Sequence, residues 1–446
     1  MAGPTQTALP DVTSDALAHV LSFAHVLDRA AAACSCRALR AAAALPAAWA
    51  ALDLRESERL SDELERTTIQ RDLGAVLRAK LWLRAGDALR ELRIDLRAQL
   101  LPADALEIAT ALQISARVNA AVAADVVVVC TDPEGARDAE RAARAMPANG
   151  SCKMSLHLVN QGATEFASAV ADKPWPPALA EVTLAAAEPE EPEGEEEEEA
   201  AVDPDGTFRS VFGVAPAMKC PVAFVSEFSD ELASESGGAI AEAVAGAVRA
   251  GARVSELDFH MCGIDDDHVE TMLSAIEAAE PRALRAVRLS HNSFGDRALE
   301  AISSFVERSP TIREVRINRA YITDAGARRV ARAVAASRSV VGLSLVPWKT
   351  YEVFYEGETP PCGDAGAAAL ADAVRSHASL EDLEYQNTDM TDEGVKLLAL
   401  AVGENRSLRR VSVRDDRAFS PAAADAMRRA NSARGANVFR ELGDAA

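Results

Sequence analysis

From Val254 to Val413 apolar side chains recur in one fixed phrase: apolar, two residues, apolar, one residue, apolar. It occurs as Val254/Leu257/Phe259, Leu284/Val287/Leu289, Ile312/Val315/Ile317, Val340/Leu343/Leu345, Leu380/Leu383/Tyr385 and Leu408/Val411/Val413. Counted on the middle position, the steps are 30, 28, 28, 40 and 28 residues. The alternation at the end of the phrase predicts a short strand with one buried face. A second phrase lies between the copies, as IDDDHVETMLSAI from Ile264, FGDRALEAISSFV from Phe294, ITDAGARRVARAV from Ile322 and MTDEGVKLLALAV from Met390. Its apolar residues recur at three and four, as in Val395, Leu398, Ala399 and Val402, which predicts a helix with one buried stripe. The opening Asp or Thr-Asp offers a side-chain oxygen to the unpaired amides of the first turn. Each unit is therefore a strand, a turn and a helix.

A near-constant period of about 28 residues with a full helix resembles the leucine-rich repeat of the ribonuclease-inhibitor class. The resemblance implies an α/β solenoid, a horseshoe with parallel strands inside and helices outside. Strands sit ~4.8 Å apart while packed helices need ~8–10 Å, so stacked units must bend. In that family the ninth position is usually Asn or Cys, which caps neighbouring turns; here it reads Cys262, Asn292, Ala320, Trp348, Thr388 and Asp416. Upstream, Leu89/Leu92/Ile94 and Leu179/Val182/Leu184 fit the phrase, and Val126 to Val129 and Met154 to Leu158 read as strands at compatible spacing. Val222/Val225, followed by a helical Ile240 to Val248, reads as another unit. Residues 89–253 are thus degenerate repeats, or hold a separate α/β domain over 89–185, and 254–446 are the regular repeats. The run VVVVCTDPEG from Val126 could open a nucleotide-binding unit, but it lacks GxGxxG and reads better as a buried parallel strand.

Composition narrows the partners. The formal charge of −22 makes a nucleic-acid backbone an unsuitable partner. Nine negative charges fall between Glu188 and Glu199, and this tract, with Pro189 and Pro192 inside it, is expected to form a disordered loop over 186–206. It is either a solvated insertion or a lure for a basic partner. Seven Cys in no paired framework point to a reducing compartment, cytoplasmic or nuclear. Asp11, Asp15 and His19 interrupt what would be a signal-peptide core, and no apolar run approaches the ~20 residues that cross a bilayer.

The first fifty residues have a different character. They begin LPDVTSDALAHVLSF at Leu9, continue HVLDRAAAACSCRALR and end AAWAALDL. Leu9-Pro10, the apolar Val20-Leu21-Ser22-Phe23, Asp28, Ser35-Cys36-Arg37 and Trp49 with Leu52-Asp53-Leu54 resemble the F-box. The departures are three extra residues between Pro10 and Leu17, Arg29 in place of a usual Leu, and Leu39 in place of a frequent Trp. The resemblance implies a small all-α module over 8–54 that docks a Skp-type adaptor of a cullin-based, SCF-type ubiquitin ligase. Leu9, Pro10, Leu17, Val20, Leu21, Leu27 and Leu39 would supply the apolar patch. The same residues would also serve a helical cap on the first repeat, and 55–88 reads as a helical linker or cap.

Residues between ladder positions are expected on the concave face, because strand side chains alternate. They are Glu256, Asp258 and His260; Arg288 and Ser290; Glu314, Arg316 and Asn318; Ser344; Asp382, Glu384 and Gln386; Arg410, Ser412 and Arg414. Such a mixed-sign face suits a protein substrate of complementary charge. The twelve extra residues of the 40-residue step fall between Pro347 and Gly363, with Trp348, Tyr351, Phe354 and Tyr355 among them. Those aromatics either anchor a partner or fold back over the repeat beneath. Catalytic motifs are missing from the sequence: it has no GxxxxGK[ST], HExxH, GxSxG or CxxC. Asp265, Asp266, Asp267 and His268 look metal-like but serve equally as caps. The expectation is a non-catalytic substrate receptor without a cofactor. The alternatives are a Ran-type GTPase-activating protein, a family with similar repeats and an acidic stretch, and a plain scaffold.

Overall fold

The computed structural model describes residues 51–55, 91–117, 121–188, 203–228, 233–279, 283–347, 362–386, 389–413 and 420–439, of which 51–55 and 91–100 are described in backbone only. The chain divides into two compact units, Met1–Val182 and Thr183–Ala446. In the first, strands β1 (Ala51–Arg55), β2 (Glu91–Leu100), β3 (Ala121–Cys130) and β4 (Cys152–Val159) pair in parallel in chain order. Helices Pro102–Arg117, Pro133–Ala145 and Gln161–Val170 follow β2, β3 and β4. Strand β5 spans Leu179–Ala187.

The second unit continues with β6 (Val222–Glu227), β7 (Val254–His260), β8 (Ala286–Ser290), β9 (Glu314–Ala320), β10 (Gly342–Pro347), β11 (Asp382–Tyr385) and β12 (Arg410–Ser412). A helix separates each strand from the next. Register aligns the middle of every phrase: Leu257 lies beside Val287, Val287 beside Val315, Val315 beside Leu343, Leu343 beside Leu383 and Leu383 beside Val411. All eighteen ladder residues of the six phrases are buried, none above 3% exposure. Each such side chain taken from water contributes about 1.5–3 kcal/mol, so the phrase is the core of the stack.

Four expectations are corrected. Solenoid pairing was expected from about residue 89, yet β1 already pairs with β2, Leu52 beside Leu92 and Leu54 beside Ile94. In β6 the ladder residue is Phe224, fully buried beside Leu257, while Val225 lies beside Asp258 on the half-exposed face. The strand register there shifts between Val222 and Ala223, which regular spacing could not show. The valine run of β3 is the expected parallel strand, with one face buried: Val126 and Val128 are fully buried, Val127 and Val129 half-exposed. The segment 186–206 has ordered ends, because β5 runs through Ala187 and a helix, Pro204–Gly213, starts under an Asp203 cap.

The fourth correction concerns the Asp that opens each helix. Thr323 and Thr391 cap their own helices, accepting from the amides of Ala325 and Glu393. The Asp beside them reaches the following repeat. Asp266 Oδ1 accepts from Gly295 N at 3.0 Å and Ala298 N at 2.7 Å. Asp296 accepts from Thr323 N, Asp324 from Gly363 N and Gly366 N, and Asp364 from Thr391 N and Gly394 N. Adjacent helices pack closely enough for a short carboxylate to span the gap, and the first turn offers free amides. Glycine at 366 and 394 keeps that gap open, since a Cβ there would stand 3.0 Å from Asp324 Oδ1 and 2.5 Å from Asp364 Oδ1.

The family's ninth-position device is present where its residue is. Asn292, buried, accepts from Cys262 N and Ile264 N and donates to the carbonyls of Phe259 and Ser290. At the helix C-terminal ends a second set of buried polar residues, Ser309, Ser337, His377 and Asn405, recurs. His377 Nδ1 accepts from Ser379 N and Leu380 N, and Asn405 Oδ1 from Ser407 N and Leu408 N. Tyr385 takes a ladder position on β11, and its hydroxyl lies 2.8 Å from Cys362 Sγ and 3.4 Å from the Gly363 carbonyl.

Candidate protein-binding face

Strand alternation delivers most of the expected outward face of the second unit; the exception is Ser344 on β10, which is buried at 3% exposure rather than open on the face. Glu256 and Asp258 on β7, Arg288 on β8, Glu314 and Asn318 on β9, and Asp382 and Glu384 on β11 are half-exposed; His260, Arg316 and Arg410 are exposed. The structure brings the first group together around Arg288. Its Nη1 donates to Glu256 at 2.7 Å and to Asp258 at 3.4 Å, and its Nη2 donates to Glu314 at 2.5 Å. Arg316 pairs with the same Glu314. Arg410 and Asp382 form a bidentate pair at 3.0 and 2.9 Å, the geometry a planar guanidinium favours.

The charges on this face compensate one another unequally. Burial alone would lower the Arg288 pKa, but the bonds and charges of Glu314 and Glu256 raise it. Burial likewise pushes Glu314 upward, and Arg288 and Arg316 override it to hold the carboxyl below the usual range. Asp258 goes the other way. Burial raises its pKa, and the long contact to Arg288 does not offset that, with Glu256 and Glu314 adding repulsion.

A second cluster crosses β9, β10 and β11. The Ser344 hydroxyl lies 2.6 Å from Asn318 Oδ1 and 2.5 Å from Glu384 Oε2. One hydroxyl proton serves only one acceptor, so the proton goes to the Glu384 carboxylate and the Asn318 amide turns its NH₂ toward Oγ. Gln386 donates to Ser412 beside it. Sequence alternation missed His291, whose ring centroid lies 4.5 Å from that of His260. His291 follows the end of β8 in a left-handed conformation, φ 57°, as Met261 does after β7, and Arg319 adopts it near the end of β9. That corner swings its side chain beside the neighbouring strand end, and no period-two rule anticipates it.

The metal-like run is absorbed by capping. Asp265 Oδ1 accepts from His268 N, His268 Nδ1 accepts from Asp265 N, Asp266 caps the next helix and Asp267 pairs with Arg297. Among the described residues no group of three or more His, Cys, Asp or Glu could hold a metal, and no helix is long and apolar enough to cross a membrane. The aromatic residues Trp348, Tyr351, Phe354 and Tyr355, the basic Arg414, and the adaptor-docking set Leu9, Pro10, Leu17, Val20, Leu21, Leu27 and Leu39 lie outside the described residues.

Comparison with known proteins follows this geometry. No curated protein matches the sequence. Among solved structures, a chain of the yeast Rad7 and Elc1 complex is similar at 12% identity and a TM-score of 0.35, over 80% of this chain and 90% of that one. A leucine-rich-repeat family model matches residues 282–303, which contain β8 and the first part of its helix. With parallel strands alternating with helices on a buried apolar ladder, the fold is an α/β leucine-rich-repeat solenoid.

Proposed function

We propose that this protein is a non-catalytic, protein-binding subunit that holds a protein substrate on the outward face of its repeats. The observation that carries the reading is the face itself. Charged and polar side chains stand in rows on strands whose opposite face is buried, so the scaffold keeps their positions fixed. A rigid array of this kind contributes to binding by avoiding the ordering cost that a loop surface incurs.

The finer reading is a substrate receptor of a cullin-based ubiquitin ligase. It rests on the F-box-like residues of 8–54, with Leu9, Pro10, Leu17, Val20, Leu21, Leu27 and Leu39 docking a Skp-type adaptor. Its support is positional: the motif's closing Leu52-Asp53-Leu54 lies in the strand Ala51–Arg55, which pairs in parallel with Glu91–Leu100. The receptor would position a substrate lysine near a recruited transfer enzyme and perform no chemistry. The aromatic residues Trp348, Tyr351, Phe354 and Tyr355 and the basic Arg414 would extend the substrate surface.

Co-expression with a Skp-type adaptor tests this reading. The wild-type chain should co-purify with the adaptor, and Leu21→Asp, or Leu9→Ala with Pro10→Ala, should abolish the complex. A wild-type chain that never co-purifies sinks the ligase assignment and leaves only the general binding role. Deleting residues 350–359 should spare folding and abolish substrate capture.

A further inference from the structure

Among the described residues, the alternating outward positions of β7 to β12 carry five carboxylates, Glu256, Asp258, Glu314, Asp382 and Glu384, against three guanidinium groups, Arg288, Arg316 and Arg410. All three cations are engaged: Arg288 with three carboxylates, Arg316 with Glu314 and Arg410 with Asp382. An acidic partner would therefore have to break existing pairs to gain any of these three cations. Two carboxylates remain undercompensated. Asp258 has only the 3.4 Å contact to an Arg288 already shared with two closer carboxylates. Glu384 has a serine hydroxyl at 2.5 Å and, among the described residues, no ion pair.

The surroundings of Asp258 refine the partner's chemistry. His260 lies two residues farther along the same strand face and is exposed, and its ring leans on His291 at 4.5 Å between centroids. The two rings, lying past Asp258 at the end of the same strand face, form a shelf that suits a planar cation, which stacks on aromatic faces and donates in a fork. An ammonium is a point charge without the planar fork that stacks on the rings and donates to the carboxylate at once. Asp258 and Glu384 stand four strands apart, roughly 19 Å at ~4.8 Å per strand. An extended chain of ~3.4 Å per residue spans that in about six residues.

Building on the reading that this face binds a polypeptide, we infer that its partner is an extended, arginine-bearing segment crossing the strands, with one arginine on Asp258 and the His260–His291 shelf and a second, about six residues away, on Glu384. The face thus selects for positive charge at a defined spacing. The chain's overall −22 adds long-range attraction for such a segment.

The test uses the full-length chain and capped twelve-residue Gly/Ser peptides, followed by fluorescence anisotropy at about 50 mM and about 300 mM salt. One peptide carries two arginines six residues apart, a second two adjacent arginines, and a third two glutamates at the first spacing. The spaced-arginine peptide should bind most tightly and weaken with salt. Asp258→Asn and Glu384→Gln should each weaken it about five- to ten-fold, the range of a partly screened to a well-placed ion pair. Glu384→Gln keeps an acceptor for Ser344, so it reports on charge even if the other variant folds poorly. Equal binding of the glutamate peptide overturns the inference. So does unchanged binding to both variants, which would assign the attraction to the Glu188–Glu199 tract or to diffuse charge. Adaptor co-purification is independent of these outcomes, so failure there leaves the peptide result intact, and the reverse.

Discussion

Asp324 Oδ1 accepts a hydrogen bond from Gly366 N at 2.7 Å, tying the first turn of helix Asp324–Ala336 to that of helix Asp364–Ser376. The two residues are 42 positions apart, against 32 for Asp266 to Ala298 and 30 for Asp364 to Gly394. The aromatic insertion therefore lengthens the chain between two repeats without breaking the carboxylate ladder that joins their helices. The same oxygen accepts from Gly363 N at 2.9 Å, so one side chain satisfies two helix-terminal amides.

Removing that carboxylate should be costly. Asp324→Ala strands both amides in a part-buried gap and is expected to lower stability by about 2 kcal/mol. Asp324→Asn keeps an oxygen acceptor and should lose less than half as much. Urea unfolding followed by circular dichroism checks both; a shift in midpoint at constant slope is the expected form.

Gly366→Ala should destabilise through sterics. A Cβ at Gly366 would stand 2.5 Å from Cys362 Sγ and 2.7 Å from the Tyr385 hydroxyl. Overpacking of this kind costs about 1–3 kcal/mol. Helix Asp296–Arg308 carries Ala298 where the later helix has glycine, and Ala298 N still bonds Asp266. Pairing Gly366→Ala with Tyr385→Phe should recover part of the loss in thermal unfolding, which locates the strain at the hydroxyl.

The repeated phrase made the ladder legible because burial there obeys a strict spacing. The rows of Glu256, Asp258, Arg288, Arg316, Asn318 and Glu384 followed from alternation alone. What the sequence hid depends on contacts between repeats. Asp266, Asp296, Asp324 and Asp364 look like caps of their own helices, and only packing shows that each serves the next. Phe224 escaped because β6 shifts register at its start, and His291 because a left-handed corner turns it onto the face. The pairing of Arg288 with three carboxylates was equally invisible: four residues from three strands share a site that no local window contains.

His377 makes the last strands sensitive to mild acid. Burial holds its pKa below the ordinary value of 6.5, and Nδ1 must stay unprotonated to accept from Leu380 N at 3.0 Å. The unfolded chain takes up the proton first as pH falls. Stability should therefore be full above about pH 6.5 and decline as pH drops toward the depressed folded value. His377→Asn, which copies Asn405, should flatten that part of the stability profile measured by urea titration between about pH 7 and 5.

Cys130 and Cys362 should resist thiol reagents in the native protein. Burial first, with nearby aspartates adding repulsion, pushes both thiols up to about 12. Cys152, Cys220 and Cys262 are buried too. The thiolate is the reactive form, so maleimide labelling at pH 8 should spare all five until denaturant is added. Peptide mapping by mass spectrometry that finds native Cys362 modified at the unfolded rate would contradict the packing of Tyr385 against it.

Arg288→Ala separates the structural role of the charged face from its binding role. Without the guanidinium, Glu256, Asp258 and Glu314 face one another with only Arg316 nearby, and stability at pH 7 should fall by about 1–2 kcal/mol, between exposed and buried pairs. In the wild type, the depressed carboxyl of Glu314 contributes stability above its unfolded pKa that is lost as pH falls through the folded value. In the variant the mutual repulsion of the three carboxylates is no longer offset by Arg288, so protonation relieves it and the variant gains as pH falls. The two profiles should converge between about pH 5 and 4. A gap that stays constant across that range would mean Arg288 acts by packing its stem, and the face would then owe its order to the buried ladder alone.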